Sequence, residues 1–253
     1  LTAEHTGASL AAGQAQLVVP LTKRELSLLR YLPTRMTNQE IANAVYLSVN
    51  TVKSHLRSVY RKLDVTDRED YKAAIAAFAA ATDGKMDMLY NNAGIGRGGP
   101  FADQPFEDVL AVVQVNFIGV LIGIHLSVPL LKATPGSMCF TTSSSSATFG
   151  MPGIAVYSAT KHAVKGLTEA LSIEFKAYGI RVADVLPGLI DTPIIPREAV
   201  AAAASDGMFR LIPPIEVAKV VWEAYHSDKL HWYVPPELIE LDSSEPLETV
   251  LAS

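Results

Sequence analysis

The chain has 253 residues, 49% of them hydrophobic, a formal net charge of −5 and one cysteine. That length supports one large domain or two modest ones, and the apolar fraction excludes disordered and fibrous classes. Cys139, alone in an apolar run, cannot form an internal disulfide, so a buried thiol and a reducing, cytoplasmic setting are expected.

The charge is unevenly spread. Residues 18–63 hold eight Lys/Arg against two Asp/Glu, whereas the remainder holds 13 against 24. A basic block beside an acidic globule points to two bodies, the first suited to a polyanion. The sequence begins at Leu1 with no basic-then-apolar segment following, so a fragment or processed start is expected rather than an exported precursor. The longest apolar stretch, residues 117–131, is broken by His125 and Ser127 and falls short of the roughly 18–20 residues of a membrane span, so a core helix is expected.

In chain order, residues 1–20 are rich in Ala, Gly and Gln and read as a linker. Thr22-Lys23-Arg24-Glu25 has capping-box spacing, and Leu26, Leu29 and Leu32 form a helical stripe that Pro33 stops. A second box, Thr37-Asn38-Gln39-Glu40, opens a short helix carrying Ile41 and Val45. Ser48 then caps a helix over 49–63, in which Val49, Val52, Leu56, Val59 and Leu63 recur at three- and four-residue intervals. Its opposite face carries Asn50, Lys53, Ser54, Arg57 and Arg61. A third box, Thr66 to Glu69, starts a helix reaching residue 81 with Ala74, Ile75 and Phe78 on one face. Beyond it, strand-like runs at 86–90, 138–142 and 181–186 alternate with long helical stretches, which predicts parallel strands joined by crossover helices.

The short, capped and basic helices of the first part suit a helix-turn-helix, whose last helix enters a groove about 12 Å wide. Leu21-Thr22-Lys23-Arg24-Glu25, Thr37 to Ala42 and Val49 to Arg57 together resemble the DNA-binding domain of LuxR-type regulators over about 50 residues. Arg35 and Tyr46 stand where that family usually has Gly. The resemblance implies that Lys53, Ser54 and Arg57 face the major groove beside Asn50, with Thr51 and Arg61 nearer phosphates.

Tyr157 and Lys161 are four apart in a helical context, so both side chains share one face. A phenol beside an ammonium suits general acid/base chemistry, because the positive charge favours phenolate. Tyr225 and Lys229 share the spacing without supporting residues and read as a surface coincidence. The first pair is accompanied by Asn91-Asn92-Ala93-Gly94 after a strand, by Asn116 in a helix, by Ser144 in a serine run, and by Pro187-Gly188 after another strand. This set resembles the short-chain dehydrogenase/reductase family. The resemblance implies Tyr157 as proton donor and acceptor, Lys161 as the group that lowers its pKa and holds the nicotinamide ribose, Ser144 on the substrate oxygen, and Asn116 positioning a relay water. It also implies Asn91, Ala93 and Gly94 beside the adenosine of NAD(P), and Pro187, Gly188 and Thr192 beside the nicotinamide.

The family's glycine-rich phosphate turn is not found upstream of Met86. Gly94-Ile95-Gly96-Arg97-Gly98-Gly99 satisfies GxGxxG formally but runs into Pro100-Phe101 rather than a helix, so it is no fingerprint. The expectation is therefore an α/β chain with a linker at 1–20 and an all-α helix-turn-helix unit at 21–70. A truncated Rossmann-like parallel sheet with flanking helices follows at 64–253, with 64–81 shared between the two.

The first functional reading is a regulator-like head that binds duplex DNA through residues 21–63, on a dehydrogenase body with weak NAD(P) binding and little turnover. The alternative is a working NAD(P)-dependent oxidoreductase on a small alcohol or ketone. Homo-oligomers through the helices near 103–131 and 157–177 are expected, with no metal and no membrane association.

Overall fold

A computed structural model of the protein describes residues 38–52, 64–201 and 203–242. Helix α1, Asn38–Ala44, is followed by a turn, and residues 49–52 are again helical. Ser48 caps that second start as expected, its hydroxyl accepting the Thr51 N–H at 3.0 Å. Between the helices Tyr46 has φ 55°, in the left-handed region that explains why a glycine is usual at such a turn. Ile41, Ala42 and Val52 form a small core with Val45, Leu47 and Val49 around them. Asn50 is exposed and Thr51 half-buried, while Lys53, Ser54, Arg57 and Arg61 lie outside the described residues.

Helix α2, Arg68–Ala81, is capped differently from the expected box. Asp67 is the N-cap, its carboxylate accepting the Glu69 and Asp70 N–H groups at 2.8 and 3.0 Å. Thr66 instead donates both its N–H and hydroxyl to Asp64 Oδ1. A carboxylate is the stronger acceptor at a helix N-terminus, so it displaces the threonine by one position.

The sheet has four parallel strands in chain order: β1 Met88–Asn91, β2 Met138–Thr142, β3 Arg181–Pro187 and β4 His231–Val234. The first three match the expected runs to within two residues. Among the described residues β1 pairs only with β2. The remaining helices are α3 Phe106–Val113, α4 Gly119–Lys132, α5 Ala155–Glu174, α6 Arg197–Ala201 and α7 Pro214–Tyr225.

Alternation along the strands builds a core on each face. Leu89 and Cys139 point to one side, where Val120, Ile124 and Leu131 of α4 and Val164 of α5 meet them, with Ile75 and Phe78 of α2 packed alongside. Met138, Phe140, Ala183 and Val185 point to the other, against Ala224 of α7. Fully buried side chains such as Leu131 and Phe140 each contribute about 1.5–3 kcal/mol. Burial pushes the Cys139 thiol up to about 12, as befits a core thiol.

Helices α3 and α4 are joined by a π-helical turn, Gln114–Ile118, into one rod from Phe106 to Lys132. Its 27 residues make it longer than the apolar stretch read from sequence, and long and apolar enough by composition to cross a bilayer. Here its inner side is occupied by the sheet, through Val120, Ile124, Leu130 and Leu131. Close approach is essential at Gly123, where a Cβ would come within 2.6 Å of Tyr71 Oη and 2.7 Å of Asn91 Oδ1.

Candidate active site

The three strands that matter end on the same edge of the sheet, where parallel α/β folds place their ligands. Strand β1 ends at Asn91, β2 runs into Ser143 and Ser144, and β3 delivers Pro187 and Gly188. Helix α5 begins opposite them and presents Tyr157 and Lys161 from successive turns. The extra residue of the π-helical turn rotates Asn116 inward, where it is fully buried.

Lys161 is 4% exposed, and its ammonium donates to the Thr142 carbonyl at 2.8 Å. It lies 5.6 Å from the centre of the Tyr157 ring. Burial lowers its pKa to about 8, with Asp184 pulling the other way. Tyr157 departs from expectation. Burial raises its pKa, and the opposing influence is a hydrogen bond from Ser144 rather than the lysine charge. The lysine nitrogen is directed to the Thr142 main-chain carbonyl, and burial dominates at the phenol. Tyr157 is thus held as a protonated phenol.

Ser144 is 7% exposed and also accepts the Ser146 N–H at 3.1 Å. Ser143 has a structural task, its N–H donating to the Val185 carbonyl and its hydroxyl to the Lys161 carbonyl. Asn116 accepts the Ile95 N–H at 2.8 Å and donates to the Ile95 carbonyl at 3.0 Å, with Thr160 Oγ1 at 3.5 Å. Its amide therefore staples the loop after β1 to α5. That loop holds Gly94, where a side chain would reach 3.6 Å from Asn116 Oδ1 and 3.8 Å from Lys161 Nζ. Bare backbone lies over the lysine, a shape that suits close approach of a dinucleotide.

Asn91 is buried and reaches Thr141 Oγ1 at 3.4 Å; its Oδ1 has no hydrogen-bond partner among the described residues. Ala93 is exposed beside it. Gly188 donates its N–H to the Val234 carbonyl at 2.8 Å, and a Cβ there would come within 3.1 Å of Leu238. Thr192 is half-buried, its hydroxyl donating to the Ile190 carbonyl at 3.3 Å. The GxGxxG-like segment is a loop, tied to the start of α5 by the Gly99 N–H on the Gly153 carbonyl. Tyr225 and Lys229 are taken up elsewhere, Arg181 lying over the Tyr225 ring and Lys229 over Trp232.

Sequence reasoning missed the main-chain partners at Thr142 and Ile95, Thr160, and a buried polar cluster behind α5. In that cluster Asp184 Oδ1 lies 2.7 Å from His231 Nδ1, and Lys165 bridges Glu169 at 2.9 Å and Asp242 at 3.2 Å. A break in apolar alternation at Asp184 was the available signal.

The chain matches the family model described as short chain dehydrogenase over residues 35–200. It is 35% identical over 167 residues to cyclohexanol dehydrogenase from Acinetobacter sp. (strain SE19), covering 65% of this chain and 66% of that protein. It is 33% identical over 154 residues to trans-4-hydroxycyclohexanecarboxylate dehydrogenase from Sinomonas cyclohexanicum, covering 61% of this chain and 59% of the relative. The chain thus spans less than two thirds of the length of both. Among solved structures, 3-ketoacyl-(acyl-carrier-protein) reductase from Brucella melitensis, complexed with NADH, is similar at 28% identity and a TM-score of 0.59, covering 68% of this chain and 75% of that one.

These matches favour the oxidoreductase alternative over the regulator reading. The family match already begins at residue 35, inside the segment read as a DNA-binding unit, and nothing in the comparisons supports a LuxR-type head or a lost phosphate loop. Capping boxes and three-four apolar spacing occur on any amphipathic surface helix, so by themselves they do not establish a DNA-binding unit. From residue 35 to residue 200, in sequence and in the parallel sheet that carries the site, the chain belongs to the short-chain dehydrogenase family.

Proposed function

We propose that the protein is an NAD(P)-dependent oxidoreductase that interconverts a small alicyclic secondary alcohol and its ketone. The observation that carries this reading is the convergence of Tyr157, Ser144, Lys161 and Asn116 at the carboxyl ends of β1, β2 and β3, with Ser144 beside the Tyr157 phenol. The cyclic alcohols named in both relatives supply the substrate class.

Asn91, Ala93 and Gly94 would hold the adenosine half of the cofactor, and Tyr157, Lys161, Pro187, Gly188 and Thr192 the nicotinamide half. When bound, the nicotinamide supplies or accepts a hydride. Tyr157 Oη donates its proton to the carbonyl oxygen during reduction and takes the hydroxyl proton during oxidation, while Ser144 Oγ holds that oxygen. Burial keeps the proton on the phenol near neutrality, available for the reduction step, though it makes its release harder. The Lys161 ammonium stabilises phenolate once the proton has left. Nicotinamide fluorescence titration of the full chain tests the reading. Saturable binding of NADH or NADPH that Lys161→Ala weakens is expected, and the absence of binding by either nucleotide would refute it.

A second reading concerns residues 21–63 and rests on the left-handed Tyr46 between two helical segments, the second capped by Ser48, that share a small core. In it, that unit binds duplex DNA through Asn50, Thr51, Lys53, Ser54, Arg57 and Arg61. A gel shift that weakens steeply with salt and is lost in Lys53→Ala with Arg57→Ala would support it. An unchanged shift in the double variant would end it.

A further inference from the structure

One turn along α5 from Lys161 begins a chain of buried and half-buried ionisable groups that the proposed reaction does not use. Asp184 is at 0% exposure in β3 and is paired in register with His231 of β4. Its Oδ1 meets His231 Nδ1 at 2.7 Å, and its Oδ2 has no hydrogen-bond partner among the described residues. His231 Nε2 lies 3.4 Å from Glu169. Lys165, itself 8% exposed at the side chain, is shared by Glu169 and Asp242, and Asp242 also accepts the Tyr233 hydroxyl.

A carboxyl group in such a place is costly. Burial raises the Asp184 pKa, and His231 and then Lys165 oppose the rise. The two groups that oppose the rise are not reserved for Asp184. Lys165 serves Glu169 and Asp242, and His231 is shared with Glu169. One turn of α5 nearer the site, on the same helical face as Lys165, stands Lys161. It is hydrogen-bonded to Thr142, the last residue of β2, and the adjoining pair in the β2–β3 ladder is Thr141 with Asp184. Asp184 and Lys161 are both buried, so bulk solvent screens a charge on one from the other only weakly.

We infer that the Asp184–His231 pair is a positioning device for Lys161, a buried carboxylate anchored on β4 that sets the electrostatic field at the reactive end of α5. The inference rests on the oxidoreductase reading for its meaning but not for its test. Tyr157 on α5, and Asp184 backed by Lys165, Glu169, His231, Tyr233 and Asp242, are the ionisable groups that face the pair of lysines from the elements around them. With the carboxylate in place Lys161 retains its proton to about pH 8 despite burial. Without it, desolvation acts unopposed and the ammonium is lost at lower pH.

The experiment is a lysine titration by NMR on the full chain carrying carbon-13 at the lysine ε positions, with Lys161 assigned by its loss in Lys161→Arg. In the unmodified protein Lys161 should titrate near pH 8. Asp184→Asn should reduce its proton affinity about ten-fold. His231→Gln, which leaves the backbone of β4 intact, should act in the same direction by releasing Asp184 to take up a proton. A folded spectrum in either variant with the Lys161 midpoint unmoved would overturn the inference, because a purely structural pair would change melting and leave that midpoint alone. Should Asp184→Asn fail to fold, His231→Gln decides the matter. The titration needs neither nucleotide nor substrate, so a failure of the oxidoreductase reading would show separately, as absent turnover in the unmodified protein.

Discussion

Replacing Asn116 by alanine tests how the site is assembled. The asparagine is fully buried and makes three side-chain hydrogen bonds, two to the Ile95 main chain and one to Thr160. At roughly 1 kcal/mol net for each bond, the substitution should cost about 3 kcal/mol. In a domain of this size that lowers Tm by roughly 6–12 °C, readable by thermal melting. The loss of activity should exceed the loss of stability. The freed loop carries Gly94, whose backbone covers Lys161, and misplacement by about 1 Å costs on the order of 100-fold in rate. Asn116→Asp keeps the bond from the Ile95 N–H but turns its second oxygen toward the Ile95 carbonyl, so an intermediate result is expected. If Asn116→Ala melted and turned over like the unmodified protein, the asparagine would not be the staple described here.

Other outcomes follow from the same geometry. Tyr157→Phe should reduce hydride transfer by at least about 100-fold with Tm nearly unchanged, as measured by nicotinamide absorbance and melting. Ketone reduction should hold level below about pH 8 and decline above it, because Lys161 is charged only below that point. Lys161→Arg, whose charge persists, should remove the decline in a pH–rate profile. Gly123→Ala should destabilise by about 1–3 kcal/mol in denaturant unfolding, since its methyl would overlap Tyr71 and Asn91. Cys139 should resist alkylation in the native protein at pH 8 and react on unfolding, as burial raises its thiol to about 12.

Much of the sheet is legible in the sequence. Strand β2, Met138-Cys139-Phe140 followed by two β-branched threonines, is set off by Pro135-Gly136 and a serine run, and its bounds fall as expected. Strand β4 leaves little mark in the sequence, because its four residues, His231–Val234, carry too short a pattern. Helices α3 and α4 are visible as apolar periodicity, but the π-helical turn that aims Asn116 inward adds one residue and leaves no compositional mark.

The site divides in the same way. Tyr157, Lys161, Ser144 and Asn116 could be found because their side-chain types and spacing are specific. The Thr142 carbonyl and the Ile95 main chain could not, since every residue offers those groups and only the fold selects which are used. Asp184 reads as an ordinary break in alternation until β4 brings His231 alongside it.

The most direct test of the proposed chemistry is steady-state oxidation of cyclohexanol by the full chain with NAD+ and, separately, NADP+, followed by the appearance of reduced nicotinamide. The expected result is turnover with one or both nucleotides that disappears in Tyr157→Phe. Persistent turnover at an equal rate in Tyr157→Phe, or its absence with both nucleotides across a panel of alicyclic alcohols, would contradict the reading.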